Sequence, residues 1–118
     1  MNKHEIIQSL NDYVDQIVEQ HKRKQFSRYV KSKKVTFEEC YMFLEPRDPF
    51  IFGQTKSRWK QKITFRTYKH RMQTEIKCSC PDWSHNLKGK QVPCKHIFAL
   101  IERYKSKRNH INNTIKGE

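Results

Sequence analysis

Glycine is scarce in this chain. The 118 residues include three, each isolated, which excludes the glycine-rich loop that cradles a nucleotide's phosphates. Long apolar runs are also missing. The longest, Ile97-Phe98-Ala99-Leu100-Ile101, falls far short of the roughly 20 residues that cross a bilayer, so no membrane partner is expected. No C-x-x-C occurs among the four cysteines, which argues against dithiol redox chemistry. Acidic residues are few: 12 Asp and Glu stand against 25 Lys and Arg, for a net charge of +13. A surplus of that size points to a polyanionic partner, with nucleic acid the first candidate.

Apolar residues make up 35% of the chain and the mean hydropathy is -1.02. The length suits one domain, and the composition allows only a small core, for which a structural metal is a common remedy. Met1-Asn2-Lys3-His4-Glu5 leads into an amphipathic pattern rather than an apolar block, so no secretory leader is expected. An intracellular protein, cytoplasmic or nuclear, is the expectation.

The fold class expected is α+β. Asn2 with Glu5 resembles a capping box. Ile6, Leu10, Tyr13 and Ile17 follow at helical spacing, widened by Ile7, Val14 and Val18, which predicts an amphipathic N-terminal helix over residues 3–22. Its apolar stripe suits a core; the alternative is a face for a protein partner or a homodimer. Residues 22–34 then bring Lys22, Arg23, Lys24, Arg28, Lys31, Lys33 and Lys34 with no acid. Phe26, Tyr29 and Val30 keep helical spacing there, in a second helix or an extension of the first. This strip is either a solvated face or a phosphate-contacting one.

A small antiparallel β-sheet should follow. Residues 35–44 are rich in β-branched and aromatic side chains and read as a strand. Pro46 and Pro49 flank a turn at Arg47-Asp48, and Phe50-Ile51-Phe52 reads as a short strand ended by Gly53. Ile63, Phe65 and Thr67 alternate in one further strand, and Thr74, Ile76 and Cys78 in its hairpin partner, with a turn near Lys69-His70-Arg71. Residues 56–71 carry Lys56, Arg58, Lys60, Lys62, Arg66, Lys69 and Arg71 without an acid. Trp59, Phe65 and Tyr68 are interleaved, either as the buried side of the strand or as rings on which bases stack. A helix returns after Cys94, with Ile97, Leu100, Ile101 and Tyr104 on one stripe. Arg103, Lys105, Lys107 and Arg108 cluster at its end, where cations suit the helix dipole. The chain thus divides into a helical segment at 1–34, a sheet and finger at 35–108, and a polar tail at 109–118 expected to be flexible.

Most of the cysteine lies in one place. Cys78-Ser79-Cys80-Pro81-Asp82-Trp83 is separated from Pro93-Cys94-Lys95-His96 so that thirteen residues lie between Cys80 and Cys94. Three thiolates and an imidazole satisfy a closed tetrahedral zinc site. Two disulfides would be the alternative in a secreted chain, but a His completing the set favours metal. On a strand Cys78 and Cys80 face the same way. Cys94 and His96 point about 200° apart within a helix, so both bind only at a helix entrance. The reading is one structural Zn2+ on Cys78, Cys80, Cys94 and His96, with a hairpin end facing a helix start. Cys40 reads as a small buried hydrophobe. His85 competes with His96 but lacks the C-x-H spacing, and His4, His21, His70 and His110 read as surface residues.

C-x-C-P-D-W followed by P-C-K-H-I and an apolar helix resembles the SWIM-type zinc finger, whose pattern is C-x-C-x(n)-C-x-H. Pro81, Trp83, Pro93, Lys95 and Ile97 agree with that motif, and the resemblance covers about residues 60–104. It implies a stand-alone SWIM protein with a ββα-like finger. The family occurs in Mutator-like transposases, chromatin-remodelling ATPases, a signalling kinase with ubiquitin-ligase activity and small recombination mediators, and its members bind DNA or protein. The reading is therefore a binding protein rather than an enzyme. Nucleic acid, DNA before RNA, would be held mainly at its phosphates by Lys56, Arg58, Lys60, Lys62, Arg66, Lys69, Arg71, Arg103, Lys107 and Arg108. The alternative is a protein–protein adaptor, for example in a recombination or repair complex.

Overall fold

The computed structural model describes residues 3–43, 49–68, 71–87 and 89–116, with side chains described over 4–43, 49–66, 73–87 and 89–107. The expected cap at Asn2 and the turns at Arg47-Asp48 and Lys69-His70 lie outside the described residues. Helix α1 spans Lys3–His21 and α2 spans Phe26–Ser32. The basic strip is thus a separate helix and not an extension of the first; no glycine or proline marks the break between them. Strands β1 (Phe37–Phe43), β2 (Phe50–Thr55), β3 (Lys60–Tyr68) and β4 (Arg71–Cys78) pair antiparallel in sequence order. A π-helical turn, Trp83–Leu87, leads to α3, Lys95–Lys116. The backbone is helical through Lys116, well into the segment where the sequence shows no apolar period.

One face of the sheet carries the core. Ile51, Ile63, Phe65 and Ile76 point inward from three strands and are at most 1% exposed. Against them lie Ile6, Leu10 and Val14 of α1 and Ile97, Leu100 and Ile101 of α3, all fully buried. The Tyr13 and Phe65 rings meet edge-on at 5.5 Å. The apolar stripe of α1 is therefore enclosed within the chain itself. Tyr104 Oη donates to Asn11 Oδ1 at 2.6 Å, and Lys105 pairs with Asp15 at 3.2 Å, fixing α1 along α3. Tyr29 meets Phe98 edge-on at 5.5 Å and turns α2 back onto α3.

One expectation for the sheet changes, and one alternative left open by the sequence is resolved. Gly53 does not end its strand: β2 runs through it to Thr55. A Cβ there would sit 2.8 Å from Leu100 Cδ1, so the residue is small because α3 crosses β2 at this point. Phe65 belongs to the core, with no ring surface left in solvent, and Trp59 packs half-buried against it. The side chain of Tyr68 is outside the described set. The β2–β3 hairpin closes through Lys56, Ser57 and Arg58, with Thr55 N–H donating to Trp59 O at 2.9 Å. Arg58 sits at φ 71°, a conformation that L-residues other than glycine adopt at a cost of about 1–2 kcal/mol.

Candidate metal centre

The strand pleat and a helix start together build the cluster. Cys78 is the last residue of β4 and shares the inner face with Ile76. Ser79 prolongs the ladder, its N–H donating to Lys60 O at 2.9 Å and its Oγ accepting from Lys60 N–H at 2.8 Å. Cys80 is thereby held two residues beyond Cys78 on the same side. Pro81 then turns the chain away. On the other flank, Cys94 immediately precedes α3 and its carbonyl accepts from Phe98 N–H at 3.1 Å, so Cys94 caps the helix and His96 lies in its first turn.

The ligand atoms of Cys78, Cys80, Cys94 and His96 all lie within 4.8 Å of one another, and all four residues are buried. His96 Nδ1 is 3.7 Å from Cys78 Sγ and 3.9 Å from Cys94 Sγ. A tetrahedral ion with Zn–S of about 2.3 Å and Zn–N of about 2.0–2.1 Å spaces such atoms by about 3.5–3.8 Å, so the donor set fits zinc. Among themselves the sulfurs share protons unequally. Hydrogen bonds from the Cys78 and Cys94 thiols push the Cys80 thiol well down. The hydrogen bond to Cys80 lifts the Cys78 thiol to about 11, and Cys94 is pushed far up by its hydrogen bonds to Cys78 and Cys80 and by burial. Three thiolates coexist at this spacing only around a cation. With four protein ligands the ion has no open position for substrate, and its role is structural. Cys40 stands apart, half-buried on β1. His85, the competing imidazole, is exposed on the π-helical turn.

A second layer, not foreseen from the sequence, holds the ligands. Trp83 N–H points at Cys80 Sγ at 3.4 Å. Gln61, 1% exposed, aims Nε2 at Cys78 Sγ (3.6 Å) and donates to Trp59 O at 2.8 Å. Such N–H···S contacts stabilise thiolate charge. Gln91, at φ 53°, accepts from Ile76 N–H at 2.8 Å and donates to Ile76 O at 3.4 Å. Its amide substitutes for a neighbouring strand on the edge of β4 and anchors the loop before Cys94.

Arg28 reaches from α2 to the finger. Its Nε and Nη2 bind Asp82 Oδ2 and Oδ1 at 2.7 and 2.8 Å, and Asn86 Nδ2 supports Asp82 at 3.0 Å. The Arg28 guanidinium holds the Asp82 carboxyl below the usual carboxylate range, against the opposing effect of burial. Arg28 thus leaves the phosphate-contacting strip for a structural role. The side chains are 28% and 36% exposed, so solvent screens the pair. A double-mutant cycle of Arg28→Ala and Asp82→Ala, followed by urea denaturation at pH 7, should give a coupling of about 1 kcal/mol. Additive losses would show that the fork does not tie α2 to the finger.

The expected nucleic-acid contacts divide. Lys56 and Arg58 are exposed in the β2–β3 turn, Lys60, Lys62 and Arg66 on the outward side of β3, and Arg103 on α3. Lys107 instead donates to the Cys40 carbonyl, which joins α3 to β1. Lys69 and the side chains of Arg71 and Arg108 lie outside the described residues. Lys56 also lines a cleft beside the finger with Lys31, Lys34, Lys95 and His96. This cleft continues past Val35 and Thr36 into another lined by Lys33 and Arg103, where Glu102 is the one acid. Lys95 escaped the sequence reading because its neighbours Cys94 and His96 marked it as part of the metal motif.

The geometry defines a closed Cys3His centre that staples a hairpin to a helix. The family model of the SWIM zinc finger matches residues 72–105, and the resemblance seen in the sequence is shown for that segment, less than a third of the chain. The comparisons with curated proteins and with solved structures found no match.

Proposed function

We propose that this protein binds nucleic acid, DNA in the first instance, through its phosphates, with the zinc structural and no catalytic step. The observation that supports this reading is the cleft beside the finger, where Lys31 and Lys34 at the end of α2, Lys56 of the β2–β3 turn and Lys95 at the start of α3 come from three separate parts of the chain to line one concave surface with Thr36, Thr55 and Ser57. Cations gathered without acids across a groove focus potential toward a polyanion. The metal holds the helix start that carries Lys95 against the hairpin, and so keeps the cleft in register. The role carries an intracellular setting, cytoplasmic or nuclear, where thiolate ligands stay reduced.

Titration of a duplex of unrelated sequence at several salt concentrations tests it. Six phosphate contacts would give a slope of about -5 in log affinity against log salt, from about -0.9 per phosphate. The double variant Lys34→Ala/Lys56→Ala, at two exposed positions, should keep zinc and structure and flatten the slope by about 2. A flat response of the unsubstituted protein removes the proposal. A protein partner is the second reading, favoured by Phe26 and Val30, which are 62% and 49% exposed on α2. Pull-down with and without nuclease separates the two.

A further inference from the structure

The side of the sheet turned away from the helices carries a feature that phosphate contacts leave unused. Alternation places Tyr41 and Phe43 of β1 on that side, opposite Phe52 and Phe50 of β2. Phe43 stacks on Phe50 with centroids 5.4 Å apart, and Tyr41 lies 5.0 Å from Phe52 at 32°. Tyr41 and Phe43 remain 42% and 46% exposed, and α1 and α3 pack on the opposite face. The next two strands continue the surface in Lys62 and Lys77, with Thr64 and Glu75 beside them; Glu75 meets Lys77 at 3.4 Å in an exposed ion pair, which solvent screens. Lys62 pairs with Phe52 on one side and with Lys77 on the other, and its ammonium lies 4.5 Å from the centre of the Phe50 ring.

The cross-strand ring pairs and the exposed Glu75–Lys77 bridge stabilise this surface only in part. Large rings left in water contribute little burial, and like charges directly opposite on a sheet are destabilising. An anion against Lys62, reaching Lys77 past its exposed pair with Glu75, while covering the rings relieves both. We propose that this face is a stacking platform for single-stranded nucleic acid, with bases on Tyr41 and Phe43 and the backbone along Lys62 and Lys77. The proposal rests on the nucleic-acid reading above and assigns a second, separate surface to it. Single strand is selected by geometry. Residues two apart on a strand stand about 6.8 Å from each other, whereas stacked bases in a duplex repeat at about 3.4 Å and turn their faces to one another. Only an unpaired strand can open its bases onto a flat pair of rings.

The test compares a labelled oligothymidylate of about 15 nucleotides with a DNA duplex of the same length, by fluorescence anisotropy at one salt concentration, using the zinc-loaded full chain. Tyr41→Ala and Phe43→Ala should each weaken single-strand binding about tenfold and leave duplex binding within about twofold, with zinc content and circular dichroism unchanged. Tyr41→Phe, which keeps the ring, should bind as the unsubstituted protein does. Single-strand binding unaffected by either alanine, or equal losses on strand and duplex, overturns the platform while leaving the phosphate cleft standing. A sedimentation experiment showing a dimer that Tyr41→Ala dissociates also overturns it, because a second copy then covers the face. If the unsubstituted protein binds neither probe, both readings fall.

Discussion

Cys94→Ser is expected to release zinc and unfold the whole described domain rather than its C-terminal half alone. Serine retains the backbone carbonyl that accepts from Phe98 N–H and is itself a favoured N-cap, so the start of α3 is not what the substitution removes. What goes is a thiolate with no exposure to solvent, leaving three ligands around a dication. Zinc binding and folding are one equilibrium in small metal domains, with apparent binding energies of about 10–16 kcal/mol in finger peptides. That compares with a net stability of about 5–15 kcal/mol for whole domains. The cluster belongs to the main core: Cys78, Cys80 and Cys94 lie in one apolar group with Ile6, Ile63, Leu100 and Trp83. Losing it loosens α3, and α3 carries the packing of α1 and the sheet. Metal analysis with far-ultraviolet circular dichroism, with and without a chelator, reads the result. A variant with one zinc per chain and full structure would refute the ligand set.

Gly53→Ala should cost about 3 kcal/mol, the upper end of what overpacking a close-packed core costs. The added methyl would meet Leu100 Cδ1 at 2.8 Å, Phe37 Cε1 at 3.0 Å and Gln61 Oε1 at 3.2 Å. Leu100 and Gln61 cannot withdraw easily. Leu100 is fully buried, Gln61 is 1% exposed, and the Gln61 amide is held by its bonds to Trp59 O and Cys78 Sγ. Relief therefore requires α3 to lift off β2, which also disturbs the sulfur at Cys78. Gly89→Ala is the control. Nothing lies within 4 Å of its Cβ position, but φ is +83°, so backbone strain alone should cost about 1 kcal/mol. Urea denaturation of the zinc-loaded proteins ranks the two. A Gly53→Ala midpoint equal to that of the unsubstituted chain would show that the helix does not cross here.

Much of this was legible beforehand because its signals are local. The stripe of α1 needed only a 3.6-residue period, and the C-x-C and C-x-H pairs needed only the directions of side chains on a strand and at a helix start. The closing of β3 on β4 was visible in their alternation, although Tyr68 meets Arg71 with no glycine to announce the turn. Basic residues were harder to sort. Arg28, Lys31 and Lys34 look alike in a row, yet the first is bound by an aspartate 54 positions away and the other two line a cleft.

The aromatics show the same boundary. Phe65 and Phe50 sit in strands of similar pattern, and periodicity says only that their strand-mates at i+2 share their side. Which side faces the helices is settled by where α1 and α3 land, and that put Phe65 in the core and Phe50 beside solvent. By itself the sequence determined most of the element types, the charge surplus and the four metal ligands, since each depends on residues a few positions apart. Only the tertiary structure decided which face of the sheet is inner, why Gly53 must be small and which cations converge, because those depend on packing between elements far apart in the chain.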